Sequence, residues 1–349
     1  MRLAAGVVLL ALIAAWGVTT FGGHHTAAAE TSSTTGSTLA AVPVASPDAV
    51  TTTDTPTPTA ATDIAAADSQ MTTWKAVVLG VVEGVTEYLP VSSTGHLLVT
   101  QRILGIGDTD ATKDAADTYA IAIQFGAILA VLVLYWQRIV SIFKGLIGQD
   151  PQGRQLLIAL VMAFLPAVFV GVVAEKKIKD HLFGPWPVIV AWFIGGVVVI
   201  WLAPKIKADR PGFKITEMTW KQGLIIGVAQ VLAMWPGTSR SLVTILAALA
   251  VGASLATAVE FSFLLGLMTL GAATVYETAK NGSKVIDAYG WVDPIVGMVA
   301  AFISAVVAVR WMVKWLQTRS LAIFGWERVV AAIGTIILII TGVIASGKI

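Results

Sequence analysis

Two short polar strings interrupt an otherwise apolar sequence, and their residue types suit phosphate chemistry. The first is residues 83–96 (EGVTEYLPVSSTGH), and the second is residues 236–241 (PGTSRS). Arginine, hydroxyls and free backbone N–H groups are typical of phosphate sites, and paired glutamates are typical of metal binding or acid–base work. Ionisable side chains are costly within a membrane, so their presence in apolar sequence indicates a functional site.

The composition is that of an integral membrane protein. Of the 349 residues, 56% are hydrophobic and only 13% are charged, whereas a soluble chain carries about 25% charged residues. The mean hydropathy is +0.81. The net charge of +2 comes without a basic block that interleaves with aromatics, so no nucleic-acid partner is expected. The chain has no cysteine, which excludes disulfides and thiol catalysis.

The first 70 residues differ from the remainder. Residues 1–29 combine Arg2, an apolar run and a small-residue stretch at 27–29, as in a secretion signal, and an uncleaved anchor helix is the alternative. Residues 30–70 are mostly Thr, Ala, Ser and Pro, a composition that predicts a disordered spacer. We expect one membrane domain over residues 71–349.

The membrane domain is predicted to be all-α, with six transmembrane helices and two re-entrant helix pairs. Segments 71–89 and 92–104 flank Pro90, and each is too short for a full span at about 20 residues. Such interrupted helices are typical of re-entrant hairpins. A second interrupted pair is predicted at 220–235 and 239–252. The six spans are predicted at 118–136, 155–174, 186–203, 256–275, 291–313 and 325–345.

Loop charges orient these spans. Three loops together carry 11 of the 23 Lys and Arg residues and are assigned to the cytoplasm. Those cations are Arg138, Lys144, Arg154, Lys205, Lys207, Arg210, Lys214, Lys221, Lys314, Arg319 and Arg328. The first helix pair then enters from outside and the second from the cytoplasm. Residues 80–94 also align with 227–240, which indicates an inverted repeat with a site near the midplane. Chance similarity between glycine-rich apolar helices is the alternative.

Glu83 and Glu87 are four residues apart, so both side chains lie on one helical face. At membrane depth the two carboxylates repel each other unless they share a cation or a proton, or meet an arginine. A divalent metal site or a proton relay is therefore expected. The alternative is that both glutamates lie at the water interface and solvate the helix end.

Ser92, Ser93 and Thr94 follow Pro90 and open a helix. A hydroxyl at this place is the usual helix cap, and that is the alternative for any one of them. Three in a row also suit an anion at the positive end of the helix. His96 lies three residues after Ser93, so it is a candidate base for Ser93 or an acid for a leaving oxygen.

The second string repeats this arrangement with a cation. Gly237 permits close backbone approach, and Arg240 needs an anionic partner at membrane depth. A phosphate would satisfy Arg240, and the alternative is an ion pair with Glu83 or Glu87. The remaining candidate binding residues are the hydroxyls of this string and two polar residues that the repeat aligns, which are Thr238, Ser239, Ser241, Gln124 and Glu260.

These strings resemble the two signature motifs of the undecaprenyl-diphosphatase, or bacitracin-resistance, family. The family carries a Glu-x-x-x-Glu string, matched by residues 83–87, and a Pro-Gly-x-Ser-Arg-Ser-x-x-Thr string, matched by residues 236–244. Residues 122–131 and 260–265 extend the resemblance, which covers about residues 71–345. The long N-terminal segment is a departure, because family members usually begin close to the first re-entrant helix.

The resemblance implies an enzyme that removes the terminal phosphate of undecaprenyl diphosphate. The reaction would occur on the outer face of the bacterial plasma membrane, recycle the lipid carrier for peptidoglycan and confer resistance to bacitracin. By motif position, Glu83 and Glu87 would bind calcium or magnesium and handle protons, and Ser93 would act as or orient the nucleophile with His96 beside it. Ser239 and Arg240 would hold phosphate.

Two further hypotheses remain open from the sequence. A flippase for undecaprenyl phosphate would also use an inverted repeat and broken helices, but transport needs no nucleophile such as Ser93. An ion channel is less favoured, because no ring of repeated charge is evident. Expected partners are a polyprenyl diphosphate, membrane lipid and a second copy of the chain in a homodimer.

Overall fold

The fold is described by a computed structural model that covers residues 71–107, 110–182, 184–206, 209 and 211–344. The predicted signal segment and spacer lie outside the described residues. The described part is helical, in agreement with the all-α prediction. Its helices are α1 (Thr73–Thr86), α2 (Ser93–Ile103), α3 (Asp110–Leu134), α4 (Trp136–Leu146), α5 (Pro151–Leu182), α6 (Pro185–Leu202), α7 (Trp220–Gln230), α8 (Arg240–Ala250), α9 (Leu255–Tyr289), α10 (Val292–Leu316) and α11 (Ala322–Ile340).

Six of the described helices are long and apolar enough to cross a membrane, which confirms the predicted number of spans. They are α3, α5, α6, α9, α10 and α11. The helices α1 and α2 have 14 and 11 residues, or about 21 and 16 Å at 1.5 Å per residue. The helices α7 and α8 have 11 residues each. All four are shorter than the bilayer core of about 30 Å, as expected for half-helices.

Two predicted loops are helical. The chain over residues 175–181 continues α5 to Leu182, and the chain over residues 277–287 continues α9 to Tyr289. Lys, Glu and Ala are good helix formers, and α9 ends only where Gly290 takes a φ of +63°. The amphipathic α4, which buries Ile139 and packs against α5, was not predicted.

Small residues bring each leading half-helix against a span. A Cβ atom added at Gly80 or Gly84 of α1 would collide with the backbone of α10, and one added at Gly223 or Gly227 of α7 would collide with that of α5. Such small-xxx-small spacing lets helices approach closely in membranes. In both half-helix pairs, therefore, the first half-helix packs closely against a span through two glycines four residues apart. The inverted repeat as a whole remains a prediction.

The helices α6 and α11 pack against each other and flank both half-helix pairs. On α6, Trp192 donates its indole N–H to the carbonyl of Val91 at 3.0 Å. Arg328 was predicted to be a loop cation, but it lies within α11 and is fully buried. It was misplaced because a cation near the start of an apolar segment has the same sequence signature as a loop cation.

Candidate active site

The ends of the two half-helix pairs meet at a cavity of about 220 Å³. We call residues 90–93, which lead into α2 and include its first residue, the first tip. Residues 235–239, which precede α8, are the second tip. Residues of α3, α5, α7 and α9 complete the wall. The polar lining consists of Glu87, Ser92, Ser93, Thr94, Gln124, Gln230, Ser239, Arg240 and Thr269.

The cavity lies near the middle of the membrane domain. Gln124 is close to the centre of the span Ala115–Leu134, and Thr269 is close to the centre of the span Leu255–Lys280. The site is therefore placed where broken helices of a membrane protein expose backbone groups to a polar cavity rather than to lipid.

At the first tip, Ser93 donates its hydroxyl to Glu87 Oε2 at 2.5 Å. Both side chains are buried. The tip is shaped by Ser92, whose φ of 79° and ψ of 99° reverse the chain between α1 and α2. A left-handed φ is strained for a residue other than glycine, and such strain tends to occur at functional sites. The arrangement places a hydroxyl next to a carboxylate that can accept its proton.

Glu87 connects three elements of the site. Besides Ser93, its Oε2 accepts a hydrogen bond from Gln124 Nε2 of α3 at 3.3 Å. Its Oε1 faces Arg240 Nη2 of α8 at 3.4 Å. The ion pair considered from sequence for Arg240 thus forms with Glu87, and it spans the two half-helix pairs. The pair is long for a charge-assisted hydrogen bond, whose usual length is about 2.7–2.9 Å.

The second tip repeats the backbone of the first. Ser239 has φ 71° and ψ 109° and caps α8 by accepting a hydrogen bond from the Leu242 N–H at 3.3 Å. Gly237 has a φ of +91°, and a Cβ there would press on the backbone of α6. Ser241 donates to the carbonyl of Leu89 at 2.8 Å, so it joins the two tips rather than lining the cavity.

Arg240 presents its guanidinium to the cavity. Nη1 donates to the carbonyl of Ser262 at 2.9 Å, and Nε has no partner among the described residues. The side chain fits because α9 has Gly266 beside it, where a Cβ would collide with the guanidinium. Its planar fork therefore retains donor capacity that a phosphate oxygen would use.

Glu83 lies one helical turn before Glu87 and is buried, and it does not line the cavity. Neither of its carboxylate oxygens has a hydrogen-bond partner among the described residues. A buried carboxylate without partners is costly unless a proton or a cation neutralises it. No described group of three or more His, Asp or Glu side chains could hold a metal, so Glu83 and Glu87 fit a cation only if water or substrate oxygens complete its coordination.

His96 does not contact Ser93 by any hydrogen bond in the described structure. Its Nε2 contacts Glu327 Oε1 of α11 at 2.7 Å, and its Nδ1 contacts the carbonyl of Ser92 at 2.8 Å. Both ring nitrogens face oxygen acceptors, so neither is free to take the Ser93 proton. In this structure the Ser93 hydroxyl is paired with Glu87 and not with His96.

Two other predicted residues also lie apart from the cavity. Glu260 forms an ion pair with Arg138 at 2.7 Å, and it lines a separate cavity formed by Tyr135 and the facing ends of α9 and α10. Thr238 shapes the second tip by donating its backbone N–H to the carbonyl of Trp235 at 3.1 Å. The predicted common lining by Gln124 and Glu260 is thus met by Gln124 alone.

Gln230 was not selected from sequence, although it lines the cavity and is buried. Its Oε1 has no partner among the described residues. The alignment of the two half-helix pairs matches Gln230 with Glu83, and that correspondence was a signal that could have found it. Thr269 and Leu270 of α9 carried no comparable signal, because they lie within an ordinary apolar span.

Several known proteins similar to this chain are named undecaprenyl-diphosphatase. An undecaprenyl-diphosphatase of Sorangium cellulosum is 42% identical over 266 residues, which cover 75% of this chain and 84% of that protein. Undecaprenyl-diphosphatase 2 of Rhodospirillum rubrum is 42% identical over 265 residues, covering 76% and 93%. An undecaprenyl-diphosphatase of Acinetobacter baumannii is 40% identical over 265 residues, covering 76% and 94%.

The family described as bacitracin resistance protein BacA matches residues 76–334. This range includes all six spans and both half-helix pairs, except the first three residues of α1 and the last six of α11. The matched region contains the cavity and every residue that lines it. This chain belongs to the bacitracin resistance protein BacA family.

Proposed function

We propose that this chain is an undecaprenyl-diphosphatase, a membrane hydrolase that converts undecaprenyl diphosphate and water to undecaprenyl phosphate and phosphate. The observation that carries the proposal is the contact between Ser93 and Glu87 at 2.5 Å, opposite Arg240 in a buried polar cavity. The names of the relatives support the same reaction. Through it the enzyme recycles the lipid carrier for peptidoglycan and gives bacitracin resistance.

The second tip is suited to hold the terminal phosphate. Arg240 supplies a cation that cannot be deprotonated, and the start of α8 supplies backbone N–H groups with the positive end of its dipole. Bound phosphate oxygens would replace the long contact from Arg240 to Glu87. This frees Glu87 for proton transfer, and the guanidinium then stabilises charge that develops on the phosphoryl oxygens.

The first tip is suited to deliver the nucleophile. Glu87 accepts the proton of the attacking group, which is either the Ser93 hydroxyl or a water molecule that Ser93 orients. The bond from the terminal phosphorus to the bridging oxygen breaks, and undecaprenyl phosphate leaves. If Ser93 attacks, Glu87 passes the Ser93 proton to the leaving bridging oxygen. The ionised Glu87 then takes a proton from the water molecule that hydrolyses the phosphoserine, which releases phosphate and restores Ser93.

We also propose that Glu83 and Glu87 bind a divalent cation, calcium or magnesium, together with diphosphate oxygens. The unpartnered oxygens of Glu83 support this assignment. Such a cation would neutralise charge on the diphosphate. Adding magnesium or calcium after treatment with a chelator should raise the melting temperature of the wild type but not that of Glu83→Gln. Equal shifts in both proteins would contradict the assignment.

An apolar groove of about 800 Å³ supports a lipid substrate. It lies between α3, α9 and α10, and apolar side chains such as Ile121, Phe125 and Met298 line it. The groove reaches the cavity wall where Thr274 donates to Gln124 Oε1 at 3.5 Å. A prenyl chain in the groove would therefore place its diphosphate towards the two tips.

The proposed location is the plasma membrane, with the cavity open to the extracytoplasmic side. The cation-rich loops place the opposite ends of the spans outside the cytoplasm, and the groove lies at those outer ends.

The chain has no native cysteine, so single cysteines can report the topology. A membrane-impermeant reagent should label Asp287→Cys in intact cells and Gln149→Cys only after lysis. The reverse pattern would contradict the proposed side. A homodimer remains a prediction.

Release of phosphate from undecaprenyl diphosphate by purified protein in detergent tests the proposed reaction. A flippase for undecaprenyl phosphate would release none, since transport does not hydrolyse the lipid and cannot occur without a bilayer. Folded wild-type protein that releases no phosphate would overturn the proposed function. The contact of Ser93 with Glu87 favours hydrolysis over transport. A transporter must neutralise the phosphate charge of its lipid, but it needs no hydroxyl paired with a carboxylate.

A further inference from the structure

Glu327 and Arg328, adjacent residues of α11, contact the two different tips. Arg328 Nη2 donates to the carbonyl of Gly237 in the second tip at 2.8 Å and to that of Ala191 in α6 at 2.9 Å. Glu327 Oε1 contacts His96 Nε2 at 2.7 Å. Through its other nitrogen, His96 contacts the Ser92 carbonyl of the first tip at 2.8 Å.

Burial of Arg328 at this place reduces the stability of the fold. Arg328 is 0% exposed, and its Nε and Nη1 have no hydrogen-bond partner among the described residues. A buried cation with unpaired donors costs stability, and an apolar residue of similar volume is often neutral or stabilising. The packing also makes room for the guanidinium, because a Cβ at Gly195 of α6 would collide with it. Stability alone therefore does not account for Arg328.

Through its hydrogen bond to the Gly237 carbonyl, Arg328 holds the backbone just before Ser239 and Arg240, the proposed phosphate-binding residues. Gly237 has a left-handed φ of +91°, and Ser239 two residues later has a φ of 71°. A hydrogen bond to the Gly237 carbonyl restrains this strained turn and thereby the direction of Arg240. On the other side, the His96 ring lies 4.7 Å from Trp192 of α6 between ring centroids, so it is held by packing as well as by Glu327.

We propose that Glu327 and Arg328 are positioning residues that hold the two tips in the geometry needed for phosphate hydrolysis. The proposal rests on the proposed function for its catalytic consequence. Neither residue lines the cavity, so both act through other groups: Arg328 through the Gly237 turn, and Glu327 through His96 and Ser92.

Hydrogen exchange tests the positioning without reference to activity. In Arg328→Met, amides of the peptide over residues 235–242 should exchange at least about 10-fold faster, since loss of a buried hydrogen bond permits local opening. Gly195→Ala should have the same effect by displacing the guanidinium. The matched control is Gly325→Ala, which crowds the same α6–α11 contact at Ile200 and Gly196 but not at Arg328.

Phosphate release tests the catalytic consequence. Arg328→Met should lower kcat by about 10²-fold, because small misplacements of reacting groups have effects of that size. Its melting temperature should be unchanged or higher. Glu327→Leu should also lose turnover, whereas Glu327→Gln, which keeps an acceptor for His96, should recover most of that loss.

Exchange at residues 235–242 that is unchanged in Arg328→Met would overturn the positioning role. Faster exchange throughout the protein together with a lower melting temperature would also overturn it, since Arg328 would then be a general structural residue. If wild-type protein releases no phosphate, the proposed function fails, while the exchange experiment still decides whether Arg328 positions the second tip.

Discussion

The two tips have nearly the same backbone but carry complementary chemistry. Ser92 and Ser239 share a left-handed conformation, with φ of 79° and 71°, and each precedes a half-helix of 11 residues. The first tip is accompanied by the carboxylate of Glu87 and the hydroxyl of Ser93. The second is followed by the guanidinium of Arg240. The contacts of Glu87 with Arg240 and of Ser241 with Leu89 join them into one site.

This difference shows how one backbone design can supply two halves of a reaction. The first backbone N–H groups of a helix have no partner within that helix, and each tip is followed by the start of a half-helix. The residue at the start of the following helix then decides the role. Ser93 starts α2 and offers a hydroxyl, while Arg240 starts α8 and offers a cation. The first tip is suited to proton transfer and attack, and the second to binding phosphate.

The largest expected effect is at the residue that both tips share. Glu87→Gln should lower kcat/KM by about 10⁴-fold, because it removes the acceptor for the Ser93 proton, a role with an effect of about 10²–10⁴. Glu260→Gln is the matched control, since Glu260 pairs with Arg138 outside the cavity. Phosphate release by equal amounts of folded protein measures both. Similar losses in the two variants would remove the distinction between the sites.

Next in size is the hydroxyl of the first tip. Ser93→Ala should lower kcat by about 10³-fold if Ser93 is the nucleophile or orients it. Its neighbour His96 contacts Glu327 rather than Ser93, so His96→Ala should lose less. Pre-steady-state release of phosphate would measure both. A loss below about 10-fold in Ser93→Ala would favour water activated directly by Glu87.

A smaller loss is expected at the second tip from Arg240→Lys. Lysine keeps the charge but lacks the planar fork that contacts Ser262 and can also reach Glu87 or, in its place, a bound phosphate. Turnover should fall by about 10²-fold, the effect of removing one oriented donor to a transition state. The melting temperature serves as the control for folding. Wild-type turnover in this variant would mean that bidentate contact is not used.

The smallest expected effect is a difference in stability between alanine variants of Ser239 and Ser92, the two serines with left-handed φ. Ser239 accepts a hydrogen bond from the Leu242 N–H, whereas the Ser92 side chain makes no capping bond. Ser239→Ala should therefore reduce stability by about 1 kcal/mol, the usual value of a helix cap, and Ser92→Ala should reduce it less. Chemical denaturation in detergent compares the pair. An equal loss would show that the capping bond contributes nothing measurable.

Sequence was informative about the site because polar side chains are costly at membrane depth and therefore mark functional positions. Glu87, Ser93, Ser239 and Arg240 were identified from residue type, spacing and motif, and the structure brings them to one cavity. The half-helices were predictable from Pro90 and from segment length. These features are local, so a short window of sequence contains the whole signal.

Long-range contacts were not predictable in the same way. His96 and Glu327 are 231 residues apart, and no pattern in either segment indicates that they meet. Arg328 was placed in a loop because sequence cannot tell a buried cation from an interfacial one near a helix start. The extents of α5 and α9 were underestimated, since apolar composition marks where lipid ends and not where the helix ends.

The claim that the two tips form one catalytic site is tested most directly by a double-mutant cycle between them. The rate kcat/KM for phosphate release would be measured for wild type, Glu87→Gln, Arg240→Lys and the double variant. Because Glu87 and Arg240 contact each other across the tips, their effects should be strongly non-additive, with the double variant little worse than Glu87→Gln. Additive losses would show that the residues act independently and would contradict a shared site.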